Sequence, residues 1–215
     1  MNQKNFSSNQ SRRNFVKKSS ILAGGILAAP MLSRANYFSG SDNTIKIALI
    51  GCGGRGTGAA VQALKTKQNV QLVAMADAFR DRLDDSLKDI LDALEDKKGR
   101  VQVKEENKFT GFDAYKKAIP LADVVILTTP PGFRPIHFEE AVNQDKQIFM
   151  EKPVATDPAG IQRVLAAAEK AKAKKLNVVV GLQRRYQSSY RELMKRVHDG
   201  AIGDIISAQA WWNND

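Results

Sequence analysis

From Ile45 onward the chain alternates short apolar runs with longer stretches of helical period. The apolar runs are IKIALIG, VQLVAMAD, ADVVILTTP, KQIFME and NVVVGLQ. Between them lie GTGAAVQALKT, RDRLDDSLKDILDALEDK, IHFEEAVNQ and DPAGIQRVLAAAEKAKAKK. The second of these places Leu83, Leu87, Ile90, Leu91 and Leu94 on one helical face. Strands that are apolar throughout are buried on both faces, as in parallel sheets. Strands alternating with helices predict right-handed crossovers and an α/β fold with a Rossmann-type, doubly wound parallel sheet. Thr156 or Asp157 is placed to cap the long helix, with Pro158 in its first turn. The charged stretch from about Lys97 to Gly111 predicts a short edge strand and a loop.

The N-terminal segment breaks this pattern. Lys4, Arg12, Arg13, Lys17, Lys18 and Arg34 all precede residue 36, and no acidic residue does. They account for six of the ten net positive charges, so the remainder carries an ordinary mixed surface. With no basic stripe interleaved with aromatics, nucleic-acid binding is not expected. After the basic residues, SSILAGGILAAPML is apolar, diluted by glycine and proline, and too short to span a bilayer. A basic region, a short apolar region and small residues near Ser33–Ala35 are the parts of an export signal. Ser11-Arg12-Arg13-Asn14-Phe15-Val16-Lys17 resembles the twin-arginine signal, a receptor-read address for proteins exported already folded. This implies residues 1–35 as signal, 36–43 as linker, and the twin-arginine machinery as a partner. The destination is the periplasm or beyond, with a membrane tether if the signal stays uncut. Folding before export often serves to load a cofactor.

A cofactor motif follows directly. Gly51-Cys52-Gly53-Gly54-Arg55-Gly56 matches G-x-G-x-x-G between a predicted strand and a predicted helix, the context this motif requires. Gly51 permits the turn, Gly53 lets the backbone approach a pyrophosphate, and Gly56 packs helix on strand. The free N–H groups of the helix start then face the phosphates. Asp77 closes the next strand and is placed to accept hydrogen bonds from the adenosine ribose. It favours NAD over NADP, while Arg80 nearby could accommodate a 2′-phosphate. The alternative for Asp77 is a helix cap. Arg55 is either a phosphate contact or a solvated side chain. Cys52, the only cysteine, reads as a packing residue. No metal site is expected.

Ligands of doubly wound sheets gather at the carboxyl ends of the strands. Thr128-Thr129-Pro130-Pro131 ends one strand, and Thr129 and Pro130 there could line the nicotinamide side of a cofactor. His137 reads as a helix-start or surface residue. Glu151-Lys152-Pro153 ends the next strand. An ammonium at Lys152 beside a carbonyl or alkoxide would stabilise charge or pass a proton; a surface lysine is the alternative. Arg184, Arg185 and Tyr186 follow a further strand as candidate contacts to a polar or anionic substrate. GDIISAQAWWNND reads as a strand that stops without a partner, which makes the chain an N-terminal piece of something longer.

GCGGRG, Asp77, TTPP, EKP and GLQRRYQ, in this order and spacing, resemble the Gfo/Idh/MocA oxidoreductase family, from about Lys46 to Trp212. The resemblance implies a Rossmann domain, here 44–186, followed by an α/β domain that covers the nicotinamide. Residues 187–215 would be its crossover helix and truncated first strand. It also implies that Lys152 is the active-site lysine, that Glu151 and Pro153 border the cofactor, and that Pro153 follows a cis bond. Trp211 or Trp212 would face the sugar or lie in the core. The family's catalytic histidine would lie beyond residue 215; neither His137 nor His198 stands in its place. A homo-oligomer would form through the missing domain.

The expected function is an exported NAD(P)-dependent oxidoreductase that moves a hydride between a nicotinamide and a sugar, polyol or derivative. Two alternatives stand beside it: an NAD-dependent glycosidase working by transient oxidation and elimination, and a non-catalytic nucleotide-binding scaffold.

Overall fold

A computed structural model describes residues 43–211 and 213. The expected signal over 1–35, the linker apart from Asn43, and Trp212 lie outside the described residues. Six parallel strands form one sheet: β1 Ile45–Ile50, β2 Val70–Asp77, β3 Lys108–Thr110, β4 Val124–Leu127, β5 Gln147–Met150 and β6 Val178–Val180. Their order is β3-β2-β1-β4-β5-β6. The chain runs outward through β2 and β3, then crosses back over β1 to begin the other half at β4. This is the doubly wound topology, and the reversal opens a crevice beyond the carboxyl ends of β1 and β4.

The continuous apolar runs reflect two covered faces. Ala48 and Ile50 of β1, Val125 and Leu127 of β4, and Ile148 and Met150 of β5 pack on one side. There they meet α3 (Ala114–Ala118), α4 (Arg134–Asn143) and α5 (Pro158–Ala173). Ile47, Leu49, Leu72, Met75 and Ile126 pack on the other side, against α1 (Gly54–Leu64) and α2 (Arg80–Ala93). Neighbouring side chains of a strand point to opposite faces, so a strand covered on both sides has no polar position to spare. Asp157 is the cap of α5, its side chain accepting the Gly160 N–H at 2.8 Å.

Three local expectations are corrected. α1 begins at Gly54, so the glycine loop itself supplies the first turn of the helix. α2 stops at Ala93 and gives way to 3-10 turns over Glu95–Arg100. The cause is visible in two side chains. Arg100 Nη1 donates to Leu64 O and Thr66 O at 2.7 and 2.9 Å, and Lys97 Nζ to Lys65 O at 3.0 Å. They satisfy carbonyls at the end of α1, which a straight α2 would carry them away from. The third correction concerns the terminal run: residues 203–211 hold no strand. A strand exists by its ladder, and no described segment pairs with this one. Before it come α6 (Gln183–Tyr186) and α7 (Ser188–His198), the latter with no buried residue.

Candidate functional site

The sheet's ladders run past the strand ends. Gly51 N–H donates to Ala76 O at 2.8 Å, Thr128 N–H to Ile50 O at 2.8 Å, Glu151 N–H to Leu127 O at 3.0 Å, and Gly181 N–H to Met150 O at 2.8 Å. The first residues of these loops are thereby fixed to the sheet. Along this edge lies a cleft of about 1220 Å³, lined by Gly51, Gly53, Arg55, Asp77, Thr129 and Lys152 among others.

The glycine loop is built for close approach. Gly51 has φ +96°, a conformation that side chains oppose, and a Cβ there would lie 2.5 Å from Thr129 N. A Cβ on Gly56 would lie 2.0 Å from Gly51 O, so helix and loop touch through the missing side chain. A Cβ on Gly53 would meet nothing within 4 Å, and space is open before the helix start. This arrangement fits a phosphate at the N-terminus of α1. Gly54 begins the helix and does not line the cleft.

Asp77 sits across from this loop. Its Oδ2 accepts the Cys52 N–H at 2.6 Å and its Oδ1 accepts the Phe79 N–H at 3.1 Å. A carboxylate has about four acceptor directions, so two remain for ribose hydroxyls. Asp77 does not cap α2; Phe79 occupies that position. Arg80 is held by Asp84 at 2.7 Å and by Glu105, on the protein's own carboxylates. Arg82 lines the cleft at this end, with exposed Phe79 and Phe112. Cys52 is buried with its Sγ 3.6 Å from Ala76 O. Burial, then Asp77, pushes its thiol far up, which fits packing and not redox chemistry.

The TTPP turn rests on two residues that sequence reading missed or misplaced. Arg134 is buried and donates to Leu127 O at the end of β4 and to Thr129 O in the turn. Burial lowers its pKa, against the pull of Glu151. Its only sequence signal was a position two residues before a predicted helix, where arginine is usually exposed; the helix in fact begins at Arg134 itself. His137 is no surface residue: it is 4% exposed and bonds Thr129 Oγ1 through Nδ1 at 3.1 Å. Its ring lies 4.2 Å from that of Tyr115. Burial, then the neighbouring Arg134 charge, lowers its pKa to about 4, so the ring is neutral at pH 7. Thr129, Pro130 and Pro131 line the cleft above it.

At the end of β5, Lys152 is exposed and faces the cleft, and the Lys152–Pro153 bond is cis. Pro153 itself does not line the cleft. Glu151 is buried at 7% exposure, and Arg55 Nη2 lies 2.6 Å from its Oε1. Arg55 thus lines the cleft, half exposed, with its guanidinium against a carboxylate that the sequence reading did not foresee. Tyr186 lines the cleft, with Gln183 and Gln187. Arg184 and Arg185 do not; Arg184 lies over the Tyr190 ring at 4.8 Å. Their place on the short α6 turns them away. Trp211 is 81% exposed and outside the cleft. Among the described residues, no group of three potential ligands could hold a metal ion.

Comparison with known proteins accords with this geometry. Residues 45–181, more than half of the chain, match the Gfo/Idh/MocA family, described as an oxidoreductase family with an NAD-binding Rossmann fold. Inositol 2-dehydrogenase of Gluconacetobacter diazotrophicus is 35% identical over 97 residues, which cover 45% of this chain and 28% of that protein. Inositol 2-dehydrogenase of Salmonella typhimurium is 28% identical over 163 residues, 76% of this chain and 44% of that protein. The crystal structure of scyllo-inositol dehydrogenase from Lactobacillus casei, with bound NAD(H) and scyllo-inositol, superposes with a TM-score of 0.59 at 28% identity. That match covers 75% of this chain and 43% of the other. The chain thus spans less than half the length of these relatives. It belongs to the Gfo/Idh/MocA oxidoreductase family, with that family's NAD-binding Rossmann fold.

Proposed function

We propose that this chain forms the cofactor-binding half of an exported NAD-dependent polyol dehydrogenase that acts on inositol or a related cyclic polyol. The observation that carries the reading is the cleft itself. One crevice presents a glycine loop open to phosphates, a carboxylate with free acceptor directions, and Lys152 at the end of β5. The substrate class is supported by the relatives named inositol 2-dehydrogenase.

In this reading Gly51, Gly53 and the start of α1 hold the pyrophosphate, and Asp77 holds the adenosine ribose. Thr129 and Pro130, braced by His137 and Arg134, wall the cleft farther along β4. NAD held by these residues would supply the acceptor for a hydride from a carbinol carbon. Lys152 would donate a hydrogen bond to the substrate oxygen, its ammonium stabilising the negative charge that grows there while the hydroxyl proton passes to a general base of the complete protein. The export reading rests on the basic and apolar pattern of residues 11–32. A tightly held cofactor would suit a compartment poor in free NAD.

The test is reduction of NAD by the complete purified protein with myo-inositol, scyllo-inositol and acyclic polyols, followed at the absorbance of NADH. Reduction with a cyclic polyol is expected. Firm NADH binding without reduction by any polyol would contradict the substrate class.

A further inference from the structure

We propose that Arg55 and Glu151 form an exchangeable charge strap across the cleft, in which Glu151 competes with the cofactor's pyrophosphate for the Arg55 guanidinium. The inference rests on the reading that NAD occupies this cleft.

Position comes first. Arg55 is the second residue of α1, on the turn whose N–H groups face the phosphates. Glu151 directly follows β5, immediately before Lys152. Their side chains meet at 2.6 Å, with 49% of Arg55 and 10% of Glu151 exposed. The strap thus joins the two loops that the cofactor must contact.

The quality of the pairing comes next. Glu151 Oε1 is buried and accepts no hydrogen bond, although the guanidinium is in contact with it. Attraction without an aligned N–H is weaker in direction than a forked arginine–carboxylate pair. A phosphate oxygen that offers good alignment, two negative charges and the helix terminus is the stronger partner.

The two ends also differ in freedom. A Cβ on Gly181 would lie 2.6 Å from Glu151 Oε1 and 2.8 Å from its Cδ and Oε2. The carboxylate is seated in a place that only glycine leaves, while the guanidinium is half in solvent. Arg55 is the partner that moves. Arg134 also attracts the Glu151 charge, so the carboxylate retains a cation when Arg55 leaves it. Cofactor seating thereby exchanges one contact of Arg55 for another and frees a carboxylate next to Lys152.

The experiment is titration of the complete protein with NADH, read by nucleotide fluorescence. It compares wild type, Glu151→Gln, Arg55→Met and the double variant at low and high salt, with melting curves as a folding control. Glu151→Gln should tighten NADH about fivefold, the size of one partly exposed ion pair. Arg55→Met should weaken binding, and adding Glu151→Gln to it should change nothing. Unchanged or weaker binding in a folded Glu151→Gln protein overturns the strap. A second readout uses wild type alone: the 15N signal of the Arg55 guanidinium should shift with NADH and not with nicotinamide riboside, which lacks the pyrophosphate. A signal that ignores both ligands while NADH binds overturns the strap alone. Wild-type protein that binds no NADH overturns the cofactor reading and the strap together.

Discussion

The Cys52 N–H donates to the Asp77 carboxylate at 2.6 Å, which ties the loop after β1 to the end of β2. One carboxylate therefore does two jobs. It holds the glycine loop in its turn, and it presents its remaining acceptor directions to the cleft.

Replacing Asp77 by Asn separates these jobs. The amide can still accept from Cys52, but the charge that strengthens bonds to ribose hydroxyls is gone. NADH binding should weaken about tenfold, the loss of roughly one charge-assisted hydrogen bond. Discrimination against NADPH should shrink as well, because the repulsion of a 2′-phosphate is removed. Parallel titrations with NADH and NADPH check both.

Gly56→Ala tests contact between helix and loop. The new methyl would lie 2.0 Å from Gly51 O and 2.6 Å from Thr128 Oγ1, and the backbone carbonyl has no rotamer by which to yield. Overpacking of this kind costs about 1–3 kcal/mol. For a chain of this size that lowers Tm by roughly 2–12 °C, and the displaced loop should lose most NADH affinity. Thermal melting and a titration report the two effects separately.

His137 gives a pH dependence of known sign. The folded ring takes its proton only near pH 4, below its ordinary 6.5. Between those values the unfolded chain binds more protons, so stability is full above about pH 6.5 and falls as pH drops toward 4. The loss between pH 7 and 5 should be about 2 kcal/mol. His137→Phe keeps a ring beside Tyr115, gives up the Thr129 bond and should flatten this slope. Urea denaturation at the two pH values measures it.

Lys152→Met should separate binding from chemistry. NADH affinity should stay within a few-fold of wild type, whereas polyol oxidation should fall by about 10²–10³, the usual weight of one donor that stabilises developing negative charge. Equal loss of both would make Lys152 a cofactor contact only.

The sheet and its crevice were legible in sequence because their cause is periodic. Short apolar runs without alternation, set between helical stretches, fit strands covered on both faces, and the glycine loop stands where its backbone must turn. Side-chain partners across the cleft were not legible. Arg55 and Glu151 are far apart in sequence, and only the order of the strands brings them to 2.6 Å. The surface alternative for His137 fails and Arg134 carries no signal, because a polar residue near a helix start is usually solvated; here His137 bonds the Thr129 hydroxyl and Arg134 the carbonyls of Leu127 and Thr129. Arg184 and Arg185 follow a strand, as the reading required, but the short α6 turns them out of the cleft.

The most direct test of the central claim is calorimetric titration of the complete, purified protein with NADH. The account predicts saturable, stoichiometric binding that Asp77→Asn weakens about tenfold. Absence of binding, or binding indifferent to Asp77, would contradict it.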